Sequence, residues 1–217
     1  GAPRGVVASA ATYTVVQETD LRGTEDPADS VVFSFHNYAP DSRDVVGNGV
    51  EAADRLGVPG VQTEFSTGNS AAVATMVDAL DEELMGWAYW PYDESTKGWQ
   101  SPAEYPPDFV GLDEGGGREH LPYLVRPYPQ AVAGVPTTIA FDRVAREFRL
   151  AYDHDDDGDG ETVVFVPERH FDDPAVGVEG ASVRCREGAY LRVGDHTADS
   201  VTVTISEPAV YRIEAVH

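Results

Sequence analysis

The chain has 217 residues, enough for one large or two small domains. It carries 38 acidic residues against 15 basic ones, a formal net charge of -23, and such a surface repels nucleic acid phosphates and anionic membranes, which argues against both as partners. With 41% hydrophobic and 10% aromatic residues the chain can build a packed core, so the acid content does not mean disorder.

Residues 1 to about 30 carry little signal: a short apolar stretch, Val6 to Ala11, then a polar loop through Glu25, Asp26 and Pro27. From Val31 the pattern sharpens. Val31 to Phe35 predicts a strand that closes in Ser34-Phe35-His36-Asn37-Tyr38. Val45 to Leu56 predicts a helix, ended by Gly57 and Pro59. Val61-Gln62-Thr63-Glu64-Phe65 predicts a second strand with a carboxylate at its C-terminal tip. Asn69 or Ser70 then caps a helix whose apolar positions Val73, Met76, Val77, Leu80 and Leu84 follow i, i+3, i+4, i+7 spacing. Gly86-Trp87-Ala88-Tyr89-Trp90 predicts a third strand. Strands alternating with helices at this spacing mean parallel βαβ units. In such folds functional side chains gather at the C-terminal strand ends, where Glu64 and His36 stand.

A loop rich in Pro, Gly and Tyr, Pro91 to His120, leads to the junction Arg126-Pro127-Tyr128-Pro129-Gln130. Beyond it short alternating segments take over: Thr138 to Phe141, Glu147 to Tyr152, Thr162 to Val166, Ser182 to Arg186, Tyr190 to Val193, Val201 to Ile205 and Val210 to Ala215. These predict an immunoglobulin-like β-sandwich. The expected division is therefore 1–126, α/β, and 127–217, all-β. The acidic run Asp153 to Glu161 invites a calcium reading, but an EF-hand loop starting at Asp153 or Asp155 meets Val164 or Val166 where its last glutamate belongs. A solvated hairpin turn is the better account. His120, His154, His170, His196 and His217 show no ligand spacing, so no metal site is expected.

Lys97 is the single lysine, and the acidic residues are spread evenly. That pattern suits molar salt, where screening cancels self-repulsion, and predicts a halophilic source. Cys185 stands alone, which excludes an intrachain disulfide and a cysteine-based metal site. No run of about 18 apolar residues occurs, so no transmembrane helix is expected. The opening Gly1-Ala2-Pro3-Arg4 reads as the middle of a longer protein. The compartment is left open, extracellular or cytoplasmic.

Phe35-His36-Asn37-Tyr38, Thr63-Glu64-Phe65 and Gly86-Trp87-Ala88-Tyr89-Trp90, in that order, resemble the last three strands of a family 5 glycoside hydrolase barrel. Leu124 to Gly134 resembles the opening of the C-terminal sandwich in the endoglycoceramidase-like branch. The resemblance spans roughly residues 31 to 217. It implies the C-terminal part of a (β/α)8 TIM barrel followed by the sandwich, and a retaining β-glycosidase acting without a cofactor on carbohydrate or glycolipid, glycosphingolipids included. It assigns Glu64 as nucleophile, His36 and Tyr38 as residues positioning that carboxylate and the sugar, and Trp87 or Trp90 as the aromatic platform beneath the sugar. Strand alternation puts the two tryptophans on opposite faces.

The sequence departs from the family at the general acid, a Glu preceded by Asn. The asparagines are Asn37, Asn48 and Asn69, and none precedes a Glu. A barrel closes with eight strands, and three leave an apolar edge. The expectation is a fragment of a longer enzyme, a chain completed by a missing N-terminal barrel half, or a degenerate relic, inactive alone. The rival class is a non-catalytic module that binds carbohydrate or glycolipid or braces a barrel.

Overall fold

A computed structural model of the chain describes residues 7–11, 31–38, 43–65, 70–89, 120–154 and 160–208. The chain forms two compact units, Gly1–Leu124 and Val125–His217.

Among its described residues the first unit holds a four-stranded parallel sheet in the order β1-β2-β3-β4. Its strands are β1 (Val7–Ala11), β2 (Val32–Asn37), β3 (Gly60–Phe65) and β4 (Gly86–Trp87). Sequence reasoning expected three strands. The fourth is β1, whose Val-Ala-Ser-Ala-Ala has no alternation and only one β-branched residue, Val7; its pairing with β2, Val7 against Val32 through Ala11 against His36, is what makes it a strand. β4 is shorter than expected, although the Ala88 N–H still donates to the Gln62 carbonyl at 2.8 Å.

Helices α1 (Arg43–Leu56) and α2 (Ser70–Glu82) share one core with the sheet. Phe33 and Phe35 of β2, Phe65 of β3, Val45, Val46, Ala52 and Ala53 of α1, and Val73, Met76, Val77 and Leu80 of α2 are all buried in it. The i, i+3, i+4, i+7 stripe of α2 is the face it buries. Both helices stop in the same way. At α1, Val58 N donates to Ala53 O and Gly57 N to Asp54 O, with Gly57 at φ +68°. At α2, Met85 N donates to Leu80 O and Leu84 N to Asp81 O, with Leu84 at φ +54°. Each is a left-handed residue closing the last turn by paired bonds. Leu84 is thus the stop signal of α2, where the sequence pattern had continued the helix stripe. A short helix, α3 (Leu121–Leu124), ends the unit.

Among its described residues the second unit holds eight strands, all paired antiparallel: β5 (Tyr128–Ala131), β6 (Gly134–Asp142), β7 (Glu147–His154), β8 (Thr162–Phe165), β9 (Ala175–Glu179), β10 (Ser182–Glu187), β11 (Tyr190–Gly194) and β12 (Ser200–Ser206). They form two sheets, β10-β11-β8-β5 and β6-β7-β12-β9. Val164, Leu191 and Val193 of the first share a core with Phe148, Leu150, Tyr152, Val201, Val203 and Ile205 of the second. Along β12, Val201, Val203 and Ile205 point in while Thr202 and Thr204 are only half-buried, as the alternation predicted.

The two sheets pack over one shared core as a sandwich. Sequence reasoning did not predict β5 and β9. β5 lies in the Pro-rich junction, and β9 is a five-residue strand interrupted by Gly177; neither carries a strand signal. Val210 to Ala215 lies outside the described residues. The strands flanking the acidic run after Asp153, β7 and β8, belong to different sheets, so they do not form the expected hairpin; residues 155–159 lie outside the described residues.

Candidate active site

The site forms at the C-terminal ends of β2 and β3. In β2 the odd residues Phe33 and Phe35 face the helices, so Ser34 and His36 face the opposite side of the sheet. Asn37 points back into the core, where its Nδ2 donates to the Met76 sulfur at 3.1 Å and ties the strand end to α2. Tyr38 then returns to the face of His36, the two rings edge-on with centroids 6.5 Å apart.

The pairing of β3 with β2 is irregular just before its tip. Gln62 is opposite Phe35, but Glu64 is opposite His36, so Thr63 is an extra residue in β3. This is a β-bulge, a device that re-aims a side chain. Regular alternation would put Glu64 on the face of Gln62, toward Phe35 and the helices; the bulge turns it to the face of His36 instead. Phe65 then returns to the core, fully buried.

The Tyr38 hydroxyl donates to Glu64 Oε2 at 2.5 Å, and His36 Nδ1 lies 3.2 Å from the same oxygen. A charge-assisted bond of this length is among the stronger kinds. Both contacts fall on Oε2, so Oε1 is left available. The side chains of His36 and Glu64 are 20% and 28% exposed, which leaves the carboxylate within reach of a ligand.

Trp87 is not brought to this group. It pairs with Gln62 and packs edge-on against Phe65 at 5.5 Å, on the helix-covered face, with Tyr89 against the same ring at 5.3 Å. Tyr89 also bonds His120 Nδ1 at 2.9 Å, which gives that buried histidine a packing role. Trp90 lies outside the described residues. No group of three or more His, Cys, Asp or Glu able to hold a metal occurs among the described residues. No helix of the described residues is long and apolar enough to cross a membrane.

Two side chains at the site had no signal in the sequence. Ser34 and Thr63 are 29 positions apart, and their hydroxyls meet at 2.6 Å, Thr63 being the residue before Glu64. Only the strand pairing reveals them.

Residues 126–206 match the glycoside hydrolase family 5 C-terminal domain. Endoglycoceramidase I of Rhodococcus hoagii (strain 103S) is 32% identical over 171 residues, 76% of this chain and 31% of that protein. Endo-glycoceramidase II from Rhodococcus sp., in a cellobiose-like isofagomine complex, superposes with TM-score 0.62 at 25% identity over 90% of this chain and 45% of that one. The same enzyme as a lactosyl-enzyme intermediate gives 0.59 at 23% identity, again over 90% and 45%. Sterylglucosidase 1 of Cryptococcus neoformans shares the fold, with TM-score 0.61 at 17% identity over 83% of this chain and 38% of that one. The chain therefore spans less than half the length of the relatives it matches. Residues 126–206 are thus similar to the glycoside hydrolase family 5 C-terminal domain, on a chain similar to the endoglycoceramidases.

Proposed function

We propose that the chain is the C-terminal portion of a retaining β-glycosidase of endoglycoceramidase type, with Glu64 as its nucleophile. The observation that carries this reading is the geometry at Glu64: a reachable carboxylate at the C-terminal tip of a parallel strand, with Tyr38 and His36 both on Oε2. The parallel sheet is then the last part of a (β/α)8 barrel, whose chemistry sits at this end of the strands.

In the first step Oε1 attacks the anomeric carbon of a β-glycoside while the bond to the leaving oxygen breaks. A second carboxyl group, about 5 to 5.5 Å from the first, gives its proton to that oxygen. The glycosyl ester on Glu64 is then attacked by water, the second group takes the proton, and the carboxylate leaves with retention at carbon. Charge returns to Glu64 in this second step. Tyr38 and His36 are already in place at Oε2 to receive it, so no reorganisation is needed. The lactosyl-enzyme intermediate of the similar endo-glycoceramidase II supports the two-step route.

The proton donor is assigned to sequence beyond these 217 residues, since none of the three asparagines precedes a Glu. The chain alone is expected to act poorly on substrates whose leaving group needs protonation. The substrate class, β-glycosides of lipids including glycosphingolipids, rests on similarity to the endoglycoceramidases. With Trp87 packed against Phe65, the sugar platform is assigned to Trp90.

A dinitrophenyl β-lactoside tests this, because its leaving group departs without a proton. Mixing it with the full chain should give a burst of dinitrophenol of about one equivalent, lost in Glu64→Gln, as accumulation of a covalent intermediate requires. Equal release from the wild-type chain and Glu64→Gln would refute the reading.

A further inference from the structure

Glu64 shares a face with His36 only because β3 holds one residue more than β2 at this level. Without the extra residue, Thr63 would stand opposite His36 and Glu64 opposite Asn37, whose side chain is buried against Met76. A slip of one residue would thus aim the carboxylate at the apolar core, since strand side chains alternate between faces. Bulges are rare between parallel strands, so this one requires something to hold it.

The structure supplies a holder. Thr63, the unpaired residue of the bulge, bonds through its hydroxyl to Ser34 Oγ at 2.6 Å. Ser34 is 1% exposed, which shields its end of the bond from water. It also lies two residues before His36 on the same face of the same strand. The clamp therefore joins the strand that carries Glu64 to the strand that carries both of its partners.

We propose that Thr63, through its hydroxyl bond to Ser34, is a positioning residue that fixes the bulge and so presents Glu64 to His36 and Tyr38. This rests on the reading of Glu64 as nucleophile, but the geometric claim can be tested without any turnover. In this role Thr63 acts through the carboxylate beside it. A serine at this position keeps the hydroxyl, and a valine keeps the shape while losing it.

The experiment records the imidazole cross-peaks of His36 by NMR in the full chain at fixed pH, identified with His36→Asn. Glu64→Gln defines the displacement produced when the carboxylate is lost. Thr63→Val should move the peaks by at least half of that displacement, and Thr63→Ser should leave them where the wild type has them. In parallel, covalent labelling by an activated 2-fluoro β-glycoside should slow by up to about 100-fold in Thr63→Val, the scale expected when a reacting group is misplaced by about 1 Å, and recover in Thr63→Ser. Should Thr63→Val fail to fold, Ser34→Ala breaks the same bond from the other strand and is read in the same way. His36 peaks at wild-type positions in Thr63→Val, or unmoved in Glu64→Gln, would overturn the proposal. Absence of labelling in the wild-type chain would instead sink the nucleophile reading, and the NMR comparison would still decide the role of Thr63.

Discussion

Two glycines of α1 predict opposite effects for one substitution. Gly49 lies against β2, where an added Cβ would fall on Cζ, Cε1 and Cδ1 of the Phe35 ring, closer than side chains approach. Phe35 is 0% exposed and hemmed in by the core, so its ring cannot swing clear. Gly47, two positions earlier, has nothing within 4 Å of the same added atom. Replacing glycine by alanine inside a helix gains about 1 kcal/mol of stability where nothing opposes it. Overpacking a core costs about 1 to 3 kcal/mol, and contact with three ring carbons argues for the upper part of that range. Gly47→Ala should therefore stabilise by about 1 kcal/mol and Gly49→Ala destabilise by about 1 to 2 kcal/mol. Urea unfolding followed by tryptophan fluorescence reads this unit alone, because Trp87, Trp90 and Trp99 all lie within residues 1–124. With a slope of about 1 to 3 kcal/mol per molar urea, the two midpoints should part by about 1 M or more. If Gly49→Ala raised the midpoint as Gly47→Ala does, α1 would not pack on Phe35, and the placement of the helices behind β2 and β3 would be wrong.

At a net charge of -23 the melting temperature should rise steeply with KCl, as the screening length falls from about 30 Å at 0.01 M to about 3 Å at 1 M; a flat profile would count against adaptation to salt. Leu84→Gly should stabilise by up to about 1 kcal/mol, since a left-handed L-residue costs about 1 to 2 kcal/mol and glycine gives back part of that in unfolded-chain entropy. Leu84→Ala keeps the strain and should gain nothing, so equal urea midpoints for the two variants would remove the argument. In the second unit, burial first, then the stacked His154 ring at 3.7 Å and Arg184, hold His196 below its usual value of 6.5, against the pull of Asp195. The unfolded chain then binds the proton more readily, so His196 contributes stability above about pH 6.5 that is lost as pH falls below it. Thermal melts from pH 7.5 to 5 should show this decline, and His196→Asn should shallow it; an unchanged slope would show that the histidine pair does not matter.

Where hydrophobic period carried the information, the sequence was enough: β2, α1, β3, the stripe of α2 and most strands of the sandwich follow it. What it hid was decided by partners distant in the chain. β1 is mostly alanine and becomes a strand only by pairing with β2. β5 contains a proline and β9 a glycine, so neither announces itself. The end of α2 falls on a leucine in a glycine conformation, which no composition rule anticipates. At the site, Glu64 was legible as a carboxylate at a strand tip, and His36 and Tyr38 as alternate residues of its neighbour. The bulge at Thr63 was not, because it is a property of the pairing of two strands. For the same reason Trp87 could not be placed until Phe65 was seen beside it.

The central claim is that Glu64 forms a covalent bond to sugar. The full chain should be incubated with an activated 2-deoxy-2-fluoro β-glycoside, digested, and mapped by mass spectrometry. The account predicts one glycosyl adduct per chain, on the peptide holding Glu64, absent in Glu64→Gln, with no turnover of an unactivated glycolipid by the chain alone. Absence of any adduct, or an adduct retained in Glu64→Gln, would contradict the assignment of Glu64 as nucleophile. An adduct on Glu64 joined to turnover of unactivated glycolipid would contradict the placement of the proton donor outside these residues.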